Sequence, residues 1–352
     1  MAVEYRRFGQ DYRAMAMGNT GISSATNSSA LFYNPAAMAG IESWWFDFPM
    51  VELTYSDDAK DLVSDAQTGG FSLDSQAEII SFMDDMIGKN PYVKFDLGSN
   101  LFINIDKKGF TLGGNYTYEA ILDIEVRNPS LPEIKLFSRL DFIRQVGFSM
   151  PIGLGKWVIG GTYKSIERTE MDLEFDMGQA MNNEDFPSLT EGGNKGFGTG
   201  YDLGFVYRFP SQSRIIMGGV WRKEVVFSDE NVIRIPEEFA LGFSATHKFG
   251  VFKWVGAIDF RDLTAKWGSE GDKSYNRRTH YGTELGIFPI SDTTSFITLR
   301  AGNNQGYHTG GAEVAFFGHS MIIGYTQYTE ETGEYAGQKP SVRKVAYLSF
   351  GF

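Results

Sequence analysis

Over residues 110–126 the chain alternates between two kinds of side chain. One set reads Phe110, Leu112, Gly114, Tyr116, Tyr118, Ala120, Leu122, Ile124 and Val126. The other reads Thr111, Gly113, Asn115, Thr117, Glu119, Ile121, Asp123 and Glu125. A period of two puts alternate residues on opposite faces of a strand, and a helix cannot produce it. The pattern returns at 197–209, where Phe197, Tyr201, Leu203, Phe205, Tyr207 and Phe209 oppose Gly198, Gly200, Asp202, Gly204 and Arg208. It returns again at 252–261, with Phe252, Trp254, Ile258 and Phe260 opposite Lys253, Asp259 and Arg261.

Similar segments at 44–55, 92–105, 134–151, 155–173, 213–227, 237–249, 278–290, 294–304, 308–317, 319–329 and 341–352 bring the expectation to about fourteen strands. Most exceed the roughly 9–11 residues that cross a bilayer at a tilt, whereas strands of soluble sandwiches run nearer to about 5–6. The connections alternate as well. Short turns (106–109, 151–155, 210–212, 247–250, 291–293, 317–319) interleave with longer polar links at 56–91, 126–133, 174–196, 228–236, 266–277 and 330–340. Short periplasmic turns and long extracellular loops are the outer-membrane arrangement. The expected fold is all-β: a transmembrane antiparallel β-barrel, residues 44–352, with both termini at the periplasmic side.

Composition fits this reading. Aromatics make up 15% of the chain and glycine contributes 41 residues, as suits pleated surfaces and crowded walls. The mean hydropathy of −0.23 is that of two faces cancelling. A net charge of −12 without a basic stripe argues against a nucleic-acid partner. The absence of cysteine excludes a disulfide scaffold, a thiolate metal site and a thiol nucleophile. The first residues, Met1 to Tyr5, lack the basic and apolar regions of a signal peptide. A mature form with an added Met, placed in a Gram-negative outer membrane, satisfies this.

The chain closes Ala346-Tyr347-Leu348-Ser349-Phe350-Gly351-Phe352. Leu348, Phe350 and Phe352 share one face, which resembles the terminal-strand signal read by the barrel assembly machinery. The link 56–91 carries a helix signature: Ser75 and Glu78 form a capping box, and Ile79, Ile80, Phe82, Met83, Met86 and Ile87 follow at helical spacing. The expectation is an amphipathic helix over 75–88 in an extracellular loop. Its apolar face covers the barrel mouth, a ligand groove or a partner; packing over the mouth is the plainest of these.

Residues 1–43 carry little strand or helix signal and are too few for a core of their own. They hold Arg13-Ala14-Met15-Ala16-Met17-Gly18-Asn19-Thr20-Gly21-Ile22 and Ser28-Ser29-Ala30-Leu31-Phe32-Tyr33-Asn34-Pro35-Ala36-Ala37-Met38-Ala39. Small residues permit close packing, and a barrel of this size needs its lumen filled if it is not to leak. A plug in the lumen is the physical reading. The run from Arg13 to Gly40, with Tyr33-Asn34-Pro35-Ala36, resembles the N-terminal hatch of the FadL superfamily of long-chain fatty acid transporters. That grouping extends to PorV-type secretion barrels and TraF-like proteins. The resemblance implies that Asn34, Pro35 and Ala36 are hatch residues. It also implies passive uptake of a small hydrophobic molecule or lipid. The alternative is a non-transporting barrel that docks a secreted, lipoprotein or surface partner through its extracellular loops.

No catalytic constellation is present. The four histidines lie in turns or at strand ends, and Gly196-Phe197-Gly198-Thr199-Gly200 opens a strand, not the helix that a phosphate cradle needs. The expectation is no enzymatic activity, no cofactor and no metal. The inward set carries charges of both signs, among them Glu119, Arg139, Asp141, Lys164, Arg168, Asp202, Arg214, Arg222, Lys253, Asp259, Arg261, Glu284 and Arg300. Mixed signs point to a ladder of ion pairs gripping the plug in preference to an ion-selective channel. Gly113 and Gly114 fit either a kink or a close backbone approach.

Overall fold

In the computed structural model, fourteen strands close into one antiparallel barrel in which each pairs with its sequence neighbours and the last with the first. They are β1 (Trp44–Ser56), β2 (Tyr92–Asn104), β3 (Thr111–Arg127), β4 (Glu133–Ile152), β5 (Trp157–Asp176), β6 (Asn194–Arg208) and β7 (Arg214–Arg222). The circuit continues with β8 (Glu238–Phe249), β9 (Phe252–Phe260), β10 (Thr279–Pro289), β11 (Ser295–Asn304), β12 (Tyr307–Phe316), β13 (Met321–Glu331) and β14 (Pro340–Gly351). The structure describes residues 11–25, 29–41, 44–60, 76–105, 110–127, 133–153, 155–176, 178, 193–267, 274–318, 320–333 and 337–351, with 76–80 by backbone only.

The alternation read from the sequence is the alternation of the wall. On β3, Leu112 and Tyr116 are exposed, while Thr111, Asn115, Thr117 and Glu119 are buried. Outward side chains such as Leu101, Phe148, Leu203, Phe243 and Leu299 form a belt of exposed apolar surface. In water such a belt has no cover; in a bilayer the acyl chains cover it. The one irregularity in the registers of β1 falls between Asp47 and Met50 and is shared by its pairings with β2 and β14. Gly113 and Gly114 lie in unbroken register on both sides, so the kink reading of these glycines does not hold.

The wall is not of even height. β3 has 17 residues and β4 and β5 have 20 each, whereas β7 and β9 have 9. Nine to eleven residues span the hydrocarbon, so β3–β5 rise above it on the loop-rich side. There, outward Ile124, Val126, Ile134, Leu136, Met171 and Phe175 have no lipid beside them. The helix α3 (Gln76–Met86) supplies the cover: Phe82, Met83 and Met86 are buried in one cluster with these six.

Residues 11–25 and 29–41, ahead of β1, lie against the inner face. They form the short helices α1 (Tyr12–Ala16) and α2 (Ala30–Tyr33) and a 3-10 turn over Pro35–Gly40. The wall makes room with inward glycines. Gly113 on β3 faces Met38, Gly160 on β5 faces Ala36, Gly204 on β6 faces Asn34, and Gly282 and Gly302 face Met17. A Cβ at Gly204 would stand 2.0 Å from Asn34 Oδ1, and one at Gly282 would stand 2.2 Å from the Met17 carbonyl oxygen. Only glycine admits a backbone this close.

Candidate functional site

Asn34 anchors the N-terminal segment to the wall. Its side-chain amide donates to the Ile22 carbonyl (2.8 Å) and to the Phe205 carbonyl on β6 (3.1 Å), and its Oδ1 accepts from Ala36 N–H at 3.1 Å. That last bond caps the 3-10 turn, and Pro35 at its first position gives up no hydrogen bond by lacking an N–H. Ala36 is fully buried against Gly160. The Asn-Pro-Ala run therefore needs all three of its residue types: a side-chain amide, a fixed φ and a small Cβ.

Inward charges hold the rest of the segment. Arg13 pairs with Glu284 on β10 at 2.7 Å and donates to the Ser24 carbonyl. Arg222 on β7 donates to the carbonyls of Phe32 (3.0 Å) and Tyr33 (2.7 Å) and pairs with Glu238 at 2.5 Å. Asp259 on β9 accepts from the N–H groups of Gly21 (2.7 Å) and Ile22 (2.9 Å). Arg261 donates to Asn19 Oδ1 at 3.0 Å. Around these, Arg300 bridges Glu284 (2.9 Å) and Glu313 (2.8 Å), and Arg168 binds Asp141 through two bonds of 2.8 Å. Lys164 pairs with Asp202 at 2.6 Å. Buried charges persist only when paired in this way. Arg214 departs from the inward set: its side chain is 62% exposed at the periplasmic rim, where it meets Asp292 at 2.7 Å.

Among these charges lies an apolar cluster on the lumen side. Ile143 on β4 stands opposite Ile166 on β5, Ile166 opposite Gly198 on β6, and Gly198 bridges Phe227 in the β7–β8 link. Val225, Val232 and Ile235 complete the buried cluster, and half-buried Phe32 of α2 and Trp267 pack against it. The glycines at 196–200 are thereby explained: a Cβ at Gly198 would stand 2.7 Å from Val225 Cγ1, and one at Gly196 2.8 Å from Phe227 Cβ. Arg168 lies over the Phe227 ring at 4.7 Å. The β7–β8 link is tied at its far end by Glu237, which accepts from Lys266 and from the Trp221 indole, each at 2.6 Å. The bond from Lys266 and then that from Trp221 hold its carboxyl below the usual range. In the sequence, the inward set contains isoleucines at 121, 143 and 166 where its neighbours are polar. That was the available signal for an apolar interior site.

The other expected site residues fall elsewhere. Phe82, Met83 and Met86 sit on the outer face of β3–β5, with half-buried Ile87 beside them. The helix thus differs in place from the expectation of a mouth cover, because the strands it protects expose their apolar side outward. The side chains of Ile79 and Ile80 lie outside the described residues. Leu348 and Phe350 are half-buried on the outer face of β14, with Leu348 opposite Val51 at the closing seam; Phe352 lies outside the described residues.

No family model and no curated protein matches the sequence. Solved structures do match. The Ralstonia pickettii toluene transporter TbuX is 12% identical, with 97% of both chains covered and a TM-score of 0.59. A deltaS2 mutant of the monoaromatic hydrocarbon channel TodX is 13% identical, with 98% of this chain and 99% of that one covered and a TM-score of 0.60. The Pseudomonas putida toluene transporter TodX is 11% identical, with 97% of both chains covered and a TM-score of 0.52. The chain has the barrel fold of these solved structures.

Proposed function

We propose that the protein is a passive outer-membrane channel for small hydrophobic molecules, with residues 1–43 as its hatch and without catalytic activity. The observation that carries the reading is the full-length likeness to a toluene transporter and to a monoaromatic hydrocarbon channel. In this reading Asn34, Pro35 and Ala36 hold the hatch. Leu348, Phe350 and Phe352 serve as the signal for the barrel assembly machinery, and outer-membrane lipid covers the belt.

The test is uptake of radiolabelled toluene by a Gram-negative host that expresses the full chain. Uptake above that of the empty host is expected, and Phe227→Glu, which places a charge in the apolar cluster, returns it to background while the barrel stays heat-modifiable on gels. Wild-type uptake equal to the empty host would sink the reading. A second reading, a non-transporting barrel that docks a partner through its loops, is favoured by Tyr275 (83% exposed) and Val226 (63% exposed) in the extracellular links. Co-purification of a stoichiometric partner that Tyr275→Ser and Val226→Ser abolish would support it.

A further inference from the structure

The outer face of the wall carries a feature that neither the hatch nor α3 accounts for: an open groove of about 680 Å³ across β8–β12. Its floor is a single register row of small residues. Ala245 on β8 stands opposite Gly256 on β9, Gly256 opposite Thr283 on β10, and Thr283 opposite Ala301 on β11. Ile215 of β7, opposite Ala245, closes the row, which at about 4.8 Å per strand runs for about 19 Å. The next row toward the loops is tall: Phe243, Ile258 and Tyr281, ending on Asn303 and His308. The next row toward the periplasm is tall as well, with Trp254, Leu285 and Leu299 in line. The Trp254 indole donates to Thr283 Oγ1 at 2.7 Å, which fixes that side. These walls point away from the lumen: Phe243 is 41% exposed, Tyr281 50% and Leu299 46%. Behind the floor, the inward Ser244, Ala257, Gly282 and Gly302 are small too and also line the groove. The wall here is little thicker than its backbone.

The lining chooses the occupant. No Lys, Arg, Asp or Glu is among the lining residues, and the groove lies in the apolar belt, where the surrounding medium is hydrocarbon. Side chains on one face of a strand repeat about every 7 Å, so the two walls stand about 14 Å apart. Their own side chains narrow that gap to the breadth of one extended chain. A second copy does not fit. A two-fold interface brings the same patch to both sides, and two grooves face to face enclose a void, which close packing disfavours. The hydrogen-bonding groups gather at one end. Tyr281, Asn303 and His308 lie within two residues of the loop-side ends of β10, β11 and β12. Strands of 10 or 11 residues end where the hydrocarbon ends, at the depth of the ester carbonyls of an outer-leaflet lipid.

We propose that this groove is a lipid site. One acyl chain of an outer-leaflet lipid lies along Ala245, Gly256, Thr283 and Ala301, with its ester end toward Tyr281, Asn303 and His308. The site rests on the reading above that outer-membrane lipid covers the belt, and it is independent of uptake. A chain in the groove is touched by a floor and two walls, so it buries more apolar surface than a chain elsewhere on the belt and is held more tightly. It also packs directly behind the hatch, because Gly282 and Gly302 are the residues whose inner side admits Met17.

The test is native mass spectrometry of the full chain released from detergent with added dimyristoyl phosphatidylethanolamine. The wild type is expected to bind a first lipid about tenfold more tightly than a second. Ala301→Phe, which fills the floor, removes the difference, and Ala245→Phe at the other end does the same. Leu203→Phe, at an exposed outward position on β6, leaves it in place, and heat-modifiability on gels confirms that all three variants fold. A first lipid no tighter than the second in the wild type, or a tight first lipid that survives both filling variants, overturns the site. A dimer that Ala301→Phe abolishes, or displacement of the first lipid by ethylbenzene, overturns it as well, since the groove then belongs to a second copy or to a permeant. Each of these results leaves the uptake reading intact, which toluene uptake by cells decides.

Discussion

Two segments that are not strands cover the same sheet, one on each face, by opposite means. Outside, α3 covers the tall part of β3–β5 with apolar side chains: Phe82, Met83 and Met86 against Ile124, Leu136 and Met171. Inside, the N-terminal segment is held by polar bonds: its backbone by Asp259 on Gly21 and Ile22 and by Arg222 on Phe32 and Tyr33, and its Asn34 side chain on the Phe205 carbonyl of the wall. The difference follows from strand parity. The outward face is apolar to suit lipid, so whatever replaces lipid must be apolar too. The inward face is charged and glycine-lined, so its partner must offer carbonyls and N–H groups at close range.

The largest effect is expected where the inner cover is tightest. Gly204→Val places side-chain atoms inside the contact radius of Asn34 and Pro35. It is expected to unseat the segment, with bilayer conductance rising at least about tenfold as the lumen opens. A folded Gly204→Val barrel with wild-type conductance would show that the close approach is dispensable. Next comes Arg222→Met, which removes the bonds of Arg222 to two carbonyls of the segment and its ion pair with buried Glu238. A loss of about 3–5 kcal/mol in chemical unfolding is expected, and a loss under about 1 kcal/mol would mean that the pairing is not what holds the segment.

On the outer face, Met83→Ala removes the fully buried centre of the α3 contact. It is expected to cost about 2–4 kcal/mol of local stability. The check is hydrogen exchange, faster over 76–86 with conductance unchanged; a conductance change would join the two covers into one unit. The smallest effect belongs to the periplasmic rim, which neither segment covers. Asp292 accepts a hydrogen bond from Lys248 and is 2.7 Å from Arg214, and those bonds lower its carboxyl to about 2. The folded value lies below the unfolded one of about 3.9. Its contribution is therefore present above pH 4 and fades as pH falls toward 2. Asp292→Asn should cost under about 1 kcal/mol at pH 7, and less in high salt or at pH 2, in thermal melts.

The strands, their number and their faces were legible because side-chain parity is a local property, written two residues at a time from Phe110 to Val126. The alternation of short turns and long links followed from the same spacing, although the tight turn at Gln305-Gly306 interrupts the loop-rich end. The bond network of Asn34 was not legible. An Asn-Pro-Ala run says that a turn forms, but the Phe205 carbonyl that receives its amide is 171 residues away.

The sequence by itself determined a closed, membrane-spanning sheet, since no other arrangement gives one apolar and one polar face to so many long strands. It determined also that something small and compact must precede the first strand. Only the tertiary structure decided where the remaining pieces lie. Helical periodicity gave α3 an apolar side but not a place, which depended on β3–β5 standing above the lipid with their apolar faces outward. The glycines at 113, 160, 204 and 282 are far apart in the chain and face the N-terminal segment together only when the barrel closes. The isoleucines at 143 and 166 become a cluster for the same reason: neighbours across a sheet are set by register, and register is a property of the whole barrel.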